Sequence, residues 1–135
     1  LIKPVGGVLD FGPAALLGYE WSGAPFQPGS TIIATTWWQA NSAGEVSLSA
    51  YSHVMAGERL VVGDDGLGVP PQMWQAGDVI VQRFALKLPG DLPPGEYTLH
   101  VGLYSTESNL RSGARVNGQP VDEHPLLAQL QVVSK

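Results

Sequence analysis

The chain has 135 residues, of which 44% are hydrophobic and 14% charged, with 17 glycines and 11 prolines, so it can fill a core and is not a disordered chain. The formal net charge is −5 and the seven Lys and Arg are scattered, which argues against nucleic acid or an anionic membrane surface as a partner. The absence of cysteine excludes disulfides, thiolate zinc sites and cysteine nucleophiles.

The predicted elements are short β-strands, because turn residues interrupt the sequence roughly every 8–15 residues and no long amphipathic helix pattern occurs. In chain order, we predict strands at 5–11, 15–21, 30–40, 45–55, 59–63, 78–88, 95–105 and 126–133. Turns are predicted at Gly12-Pro13, 24–29 and 41–44; residues 64–77 are irregular, and 106–124 form a loop or a small hairpin around Asn117-Gly118. This pattern is typical of an all-β, antiparallel two-sheet β-sandwich of immunoglobulin-like, Greek-key type spanning 1–135 as one domain, with a barrel as the alternative.

The stretch Leu92-Pro93-Pro94-Gly95-Glu96-Tyr97 has the spacing L-x-P-G-x-Y, which resembles the tyrosine corner of Greek-key sandwiches. Pro94 fixes one backbone angle, and Gly95 permits a conformation closed to other residues. Tyr97 is expected to bury its ring and to bond a backbone group a few residues upstream. We therefore predict a structural role for these three residues, and a ligand-binding turn is the alternative.

The aromatic residues are the candidates for binding. Trp37 and Trp38 are adjacent in a predicted strand, so they point to opposite faces, and we assign Trp38 to the core. Trp37 then faces outward, where it stacks on a sugar ring or packs under the 64–77 loop against Trp74. If a ligand binds, we expect Trp37, Tyr51 and His100 on outward faces, with the loop that carries Trp74 as a rim.

Signals for catalysis or a metal are weak. His53, His100 and His124 are the imidazoles of the chain, and His53 and His100 would meet if their strands were neighbours, but no metal-binding motif links them. Asp64-Asp65-Gly66 resembles the start of a calcium loop without its remaining ligands, so a solvated turn is the preferred interpretation. There is no G-x-S-x-G motif. We predict no catalytic residue, no metal and no cofactor.

Several pieces taken together resemble a known domain. They are Phe11-Gly12, Leu16 to Tyr19, Pro28-Gly29, Trp38 to Ala40, His53, Asp64 or Asp65, Trp74, Gly77-Asp78 and Leu92 to Tyr104. Their order is similar to that in a C-terminal extracytoplasmic domain of bacterial membrane proteins, many from the Chloroflexi, that are similar to dolichyl-phosphate-mannose–protein mannosyltransferases. The sequence departs from this pattern after Arg111, where a longer polar insert follows, and after His53, where the usual acid is missing.

The resemblance implies a β-sandwich on the outer face of the cell membrane and transfers no catalytic residue, because the glycosyl-transfer chemistry belongs to the membrane-embedded part. The chain begins with Leu1 rather than Met, so we expect a fragment of a longer protein, and without an apolar run of about 18 residues it should not itself insert into a membrane. We expect a non-catalytic accessory domain that contacts glycan or the membrane portion of its parent protein. The alternatives are a free-standing carbohydrate-binding module and a small hydrolase or metal enzyme.

Overall fold

The computed structural model describes residues 2, 7–23, 25–41, 47–122 and 124–134. Ten strands and one short 3-10 helix, Pro71–Met73, make up this part of the chain. The strands are β1 (Leu9–Asp10), β2 (Ala14–Ser22), β3 (Thr31–Ala40), β4 (Leu48–Ala56), β5 (Arg59–Asp65), β6 (Val79–Lys87), β7 (Gly95–Ser105), β8 (Ala114–Val116), β9 (Gln119–Val121) and β10 (Leu126–Val132).

The strands form two antiparallel sheets. One has six strands in the order β6-β3-β2-β1-β8-β9, and the other has four in the order β10-β7-β4-β5. Their inward faces share one apolar core, because alternate residues along each strand point to the same side. On β3, for example, Ile32, Ala34 and Trp38 are buried, and the Trp38 ring lies 5.6 Å from that of Phe11. A side chain of the size of Ile32 contributes about 1.5–3 kcal/mol through burial.

Two tyrosine hydroxyls tie the backbone of the sandwich together. Tyr97 donates a hydrogen bond to the carbonyl of Pro93, four residues upstream, at 2.6 Å, and Gly95 between them has a φ of +150°. This is the bond of a tyrosine corner, placed where the chain enters β7. Tyr19 on β2 donates to the carbonyl of Leu127 on β10 at 2.7 Å and so links the two sheets.

Polar contacts close the side of the sandwich where β5 and β6 meet. The backbone N–H of Ala85 donates to the Asp64 carboxylate at 2.9 Å, and that of Gly68 donates to the side-chain oxygen of Gln82 at 2.7 Å. These bonds join one sheet to the other at the end of β5. They thereby fix the position of the next residue, Asp65, which belongs to the site described below.

The structure confirms the predicted two-sheet antiparallel sandwich, and most predicted strands appear within a few residues of their expected bounds. Residues 106–124 contain a small hairpin, β8–β9, with Asn117-Gly118 at its turn. The prediction for Asp64-Asp65 was wrong, because both residues extend β5 and pair with β4 instead of forming a turn. The predicted turn residues 42–44 and the start of the strand at 45–46 lie outside the described residues, as do 5–6 and Ala24.

Candidate functional site

A cleft opens on the outer face of the four-stranded sheet, the face turned away from the core. Its volume is about 190 Å³, and it is lined by Tyr51, His53, Asp65, Tyr104, Asn109 and Arg111. These residues come from β4, β5, β7 and the segment that follows β7. The cleft is therefore assembled from residues up to 60 positions apart, and the sheet register brings them together.

Two glycines make room for the aromatic floor of the cleft. Gly102 lies directly opposite Tyr51 in the pairing of β7 with β4, and Gly63 lies opposite His53 in the pairing of β5 with β4. A methyl group on Gly102 would meet the Tyr51 ring carbons Cε2 and Cζ at 2.7 Å, and one on Gly63 would meet the His53 ring at 3.0 Å. The Tyr51 and His53 rings thus lie over the neighbouring strands, and any residue larger than glycine at positions 102 and 63 would clash with them.

Arg111 covers the floor from above. After β7 the chain turns back on itself, so that Arg111 pairs with Tyr104 and the Ser112 N–H donates to the carbonyl of Leu103 at 2.9 Å. We call residues 106–113 the return segment. The guanidinium carbon of Arg111 lies 5.6 Å from the centre of the Tyr51 ring, within the range of a cation–π interaction. Tyr51 is consequently only 2% exposed, although it lies on the outer face of the sheet.

Polar groups complete the rim. The Tyr104 hydroxyl donates to the carboxylate of Asp65 at 3.0 Å, which links β7 to β5 across β4. Asn109, in the return segment, has a φ of 59°, a left-handed conformation that asparagine tolerates better than most residues. Its backbone N–H donates to the carbonyl of Ser105 at 2.8 Å, which closes the turn that brings Asn109 into the lining of the cleft.

Three histidines, which we call the histidine trio, adjoin the floor of the cleft: His53, His100 and His124. His53 and His100 are cross-strand partners on β4 and β7. The ring of His124 stacks on that of His100 with 4.2 Å between centroids and 4° between planes, and its Nε2 lies 3.0 Å from Nδ1 of His53. His100 Nδ1 lies 3.0 Å from the carbonyl oxygen of His124, and His100 Nε2 lies 2.9 Å from the Thr98 hydroxyl. Every imidazole therefore has a polar partner.

Burial and a nearby cation keep the trio neutral. Burial is the main cause that lowers the pKa of each histidine from its ordinary 6.5, and the positive charge of Arg111 lowers all three further. The pKa of His124 falls to about 4, since the rings of His100 and His53 add to the effect. Two carboxylates oppose this: Asp65 raises the pKa of His53, and Asp122 raises those of His100 and His124.

The polar groups of the cleft are few and of different kinds. Of its six lining residues, Asp65 alone carries a carboxylate, whereas glycoside hydrolysis uses a pair. Within the described ranges, no group of three or more His, Asp or Glu residues is arranged to hold a metal ion. The cleft does offer a hydrogen-bond acceptor at Asp65, a donor at Arg111 and both at Asn109, beside two tyrosine rings.

The structure brings together only some of the residues predicted from the sequence as binding candidates. Tyr51 lines the cleft and His100 belongs to the adjoining trio. Trp37 is half-buried on the strand face opposite to the buried Trp38, so it lies on the outer face of the six-stranded sheet, on the far side of the sandwich. Trp74 is 3% exposed within the core and donates to the carbonyl of Val69 at 3.1 Å, so it forms no rim.

Other residues of the cleft were not singled out by the sequence. Asp65 is expected in a turn, and Arg111 and Asn109 lie in a polar segment without periodicity. His124 of the adjoining trio ends that same segment, 106–124. One signal was present: Gly102 and Gly63 interrupt strands at positions where a glycine often marks a close approach of another group.

Comparison with known proteins supports the fold. No protein-family model matches the sequence, and no curated protein matches it either. Among solved structures, the chain is similar to the C-terminal domain of Wzt. The TM-score is 0.63 and the identity 16%, over 92% of this chain and 75% of that one. That domain is also a β-sandwich, and the comparisons give no support for the mannosyltransferase-associated family in particular.

The described residues contain no helix of the length and apolarity that a membrane crossing requires.

Proposed function

We propose that this β-sandwich is a non-catalytic module that binds a sugar residue of a glycan in the cleft between Asp65 and Arg111. The observation that carries the proposal is the composition of the cleft: the partly exposed Tyr104 ring, one cation, one carboxylate and one amide line a single opening, with Tyr51 buried beneath Arg111. Sites for small polar ligands typically place a few polar groups of this kind beside aromatic surface.

The hydrogen-bonding groups suit a polyhydroxyl ligand. A sugar hydroxyl is both a donor and an acceptor, so it can donate to the Asp65 carboxylate and accept from the Arg111 guanidinium. Asn109 offers both functions at the mouth of the cleft. The charges of Asp65 and Arg111 cancel and the trio is neutral at pH 7. The cleft therefore has no net charge, and a neutral ligand loses little binding free energy to unbalanced charges.

The size of the cleft limits the ligand. Its volume of about 190 Å³ is below the roughly 300–1,000 Å³ of pockets for drug-sized molecules, so we expect it to hold a single sugar residue. For one residue in an open cleft we expect a Kd on the order of 1 mM, which corresponds to about −4.1 kcal/mol. Multiple copies of the module, or repeated units of a glycan, would raise the effective affinity.

We further propose that the domain serves as an accessory, extracytoplasmic part of a membrane-anchored, glycosyltransferase-like protein, where it contacts glycan or the membrane portion of its parent. Its support is the order of residues that resembles such domains, from Phe11-Gly12 to the Leu92–Tyr104 stretch. The alternative, a free-standing carbohydrate-binding module, is favoured by the self-contained cleft. A longer protein that includes the neighbouring segments can be compared with the domain alone. Tighter glycan binding by the longer protein would favour the accessory role.

The test is calorimetric titration of the domain with a panel of oligosaccharides, followed by substitutions on the sugar that binds best. Arg111→Ala and Asp65→Asn should each weaken binding by at least about tenfold, since each removes a hydrogen bond to a charged group. Arg83→Ala is the matched control, because Arg83 is an exposed arginine on the outward side of β6. Equal affinity in Arg111→Ala and Arg83→Ala would contradict the proposal.

A further inference from the structure

The histidine trio is built as a junction between separate parts of the chain. His53 belongs to β4 and His100 to β7, whereas His124 comes after the β8–β9 hairpin and just before β10. The ring of His124 is held on one side by stacking on His100 and on another by the contact of its Nε2 with Nδ1 of His53. His124 therefore docks its segment onto the outer face of the four-stranded sheet through ring contacts.

The same ring also contacts the floor of the cleft. The His124 and Tyr51 rings are stacked with 5.8 Å between centroids, and the His53 ring lies 4.5 Å from that of Tyr51 and 5.2 Å from that of His124. Arg111 lies over the Tyr51 ring, which is almost wholly buried. His53, His124 and Arg111 thus all pack against Tyr51, so a movement of His124 alters the packing around the floor of the cleft.

The contact between His53 and His124 does not accommodate a proton on both rings. In the contact between His53 Nδ1 and His124 Nε2, one nitrogen donates and the other accepts, so protonating both rings would set two donors against each other at 3.0 Å. A protonated His124 would also lie flat against His100 and close to the Arg111 cation. The negative charges of Asp122, which accepts a hydrogen bond from the backbone N–H of His124 at 2.9 Å, and of Asp65, which accepts from the Tyr104 hydroxyl, compensate in part.

We propose that the trio is a pH-sensitive latch: its neutral rings hold His124 and Arg111 against the four-stranded sheet, and protonation releases them and opens the cleft. Acidification would then weaken binding of the sugar, a consequence that rests on the proposed function. The latch itself does not require a ligand. The latch would couple pH to sugar binding because the trio lies beside the cleft and His53 is one of the residues that line the cleft.

The direction and size of the effect follow from linkage. The open form carries imidazoles of ordinary pKa and binds protons more readily, so opening becomes more favourable as pH falls from 6.5 towards 4. With a pKa of 6.5 in the open form and about 4 in the closed form, opening would be on the order of 20-fold more favourable at pH 5 than at pH 7. Solvent screening of a partly exposed ring reduces this to about fivefold.

The latch is tested on the sugar-free domain by amide hydrogen exchange, measured by NMR at pH 7 and pH 5 and corrected for the intrinsic pH dependence. The backbone N–H groups of His124 and Ser112 donate to the Asp122 carboxylate and to the carbonyl of Leu103. The equilibrium constant for opening of these two hydrogen bonds should be at least about fivefold larger at pH 5 than at pH 7. The N–H of Val101, in the buried part of β7, should not change. Equal opening at both pH values, or equal loss of protection at Val101, would overturn the proposal.

Substitutions separate the latch from general acid sensitivity. His124→Phe keeps a flat ring against His100 without a titrating group and should reduce the pH response to below about twofold; if this variant does not fold, His53→Gln serves instead. Arg111→Gln removes a charge that lowers the pKa of all three histidines in the closed form, so the closed and open pKa values move closer together and opening should respond less to acidification than in the parent. Arg83→Gln should leave the pH response of opening unchanged. A domain that opens at pH 5 but binds no sugar would refute the proposed function and still support the latch.

Discussion

Replacing Gly102 with alanine probes the floor of the cleft with a single methyl group. That methyl would lie 2.7 Å from two carbons of the Tyr51 ring, whereas carbon atoms in contact prefer about 3.5–4.0 Å. The ring must therefore move by about 1 Å. It is held by His53, Tyr104 and Arg111, so the strain resembles that of an overpacked core, about 2 kcal/mol.

Thermal unfolding followed by circular dichroism measures this cost. For a domain of this size, 2 kcal/mol corresponds to a loss of roughly 6–10 °C in Tm. Gly90→Ala is the matched control, because a methyl group on Gly90 meets nothing within 4 Å, and its Tm should stay within about 2 °C of the parent. Tyr51→Ala in the Gly102→Ala background should recover part of the loss relative to additivity, since it removes the group that clashes. Equal Tm values for the Gly102 and Gly90 variants would refute the close packing of Tyr51.

Two further predictions concern residues away from the cleft. Tyr97→Phe removes the hydrogen bond to Pro93 and should lower the free energy of unfolding by about 1 kcal/mol. This is the lower end of the usual range, because the exposed Pro93 can be solvated by water in the variant. An unchanged midpoint of urea unfolding would contradict the prediction. Trp37→Ala should leave sugar affinity within about twofold, because Trp37 lies on the other sheet, and a tenfold loss in calorimetric titration would move the site to that face.

The fold could be predicted because its signals are local. Alternating apolar residues in 30–40, 78–88 and 95–105 identify strands and their buried faces without knowledge of the partner strand. The corner at Pro93 to Tyr97 is equally local, since the bond spans only four residues. What the alternation does not provide is the order of the strands, and therefore it does not show which outward faces belong to the same sheet.

The site depends on that missing order. Trp37 and Tyr51 were both correctly expected to point outward, but they point outward from different sheets. His53 meets His100 only because β4 pairs with β7 in one particular register, which the sequence does not specify. Arg111 and His124 reach the cleft through a turn and a hairpin that carry no periodicity, so no sequence pattern could have placed them.

The central claim is that a sugar residue binds in the cleft of the four-stranded sheet. Its most direct test is an NMR titration of the isotope-labelled domain with oligosaccharides at pH 7, in which the shifts of backbone amides locate the ligand. Tryptophan fluorescence is less suitable, because no tryptophan lines the cleft. The account predicts shifts concentrated at Asp65, Tyr104 and Arg111. Shifts concentrated around Trp37 on the six-stranded sheet, or no shifts with any sugar in the panel, would contradict it.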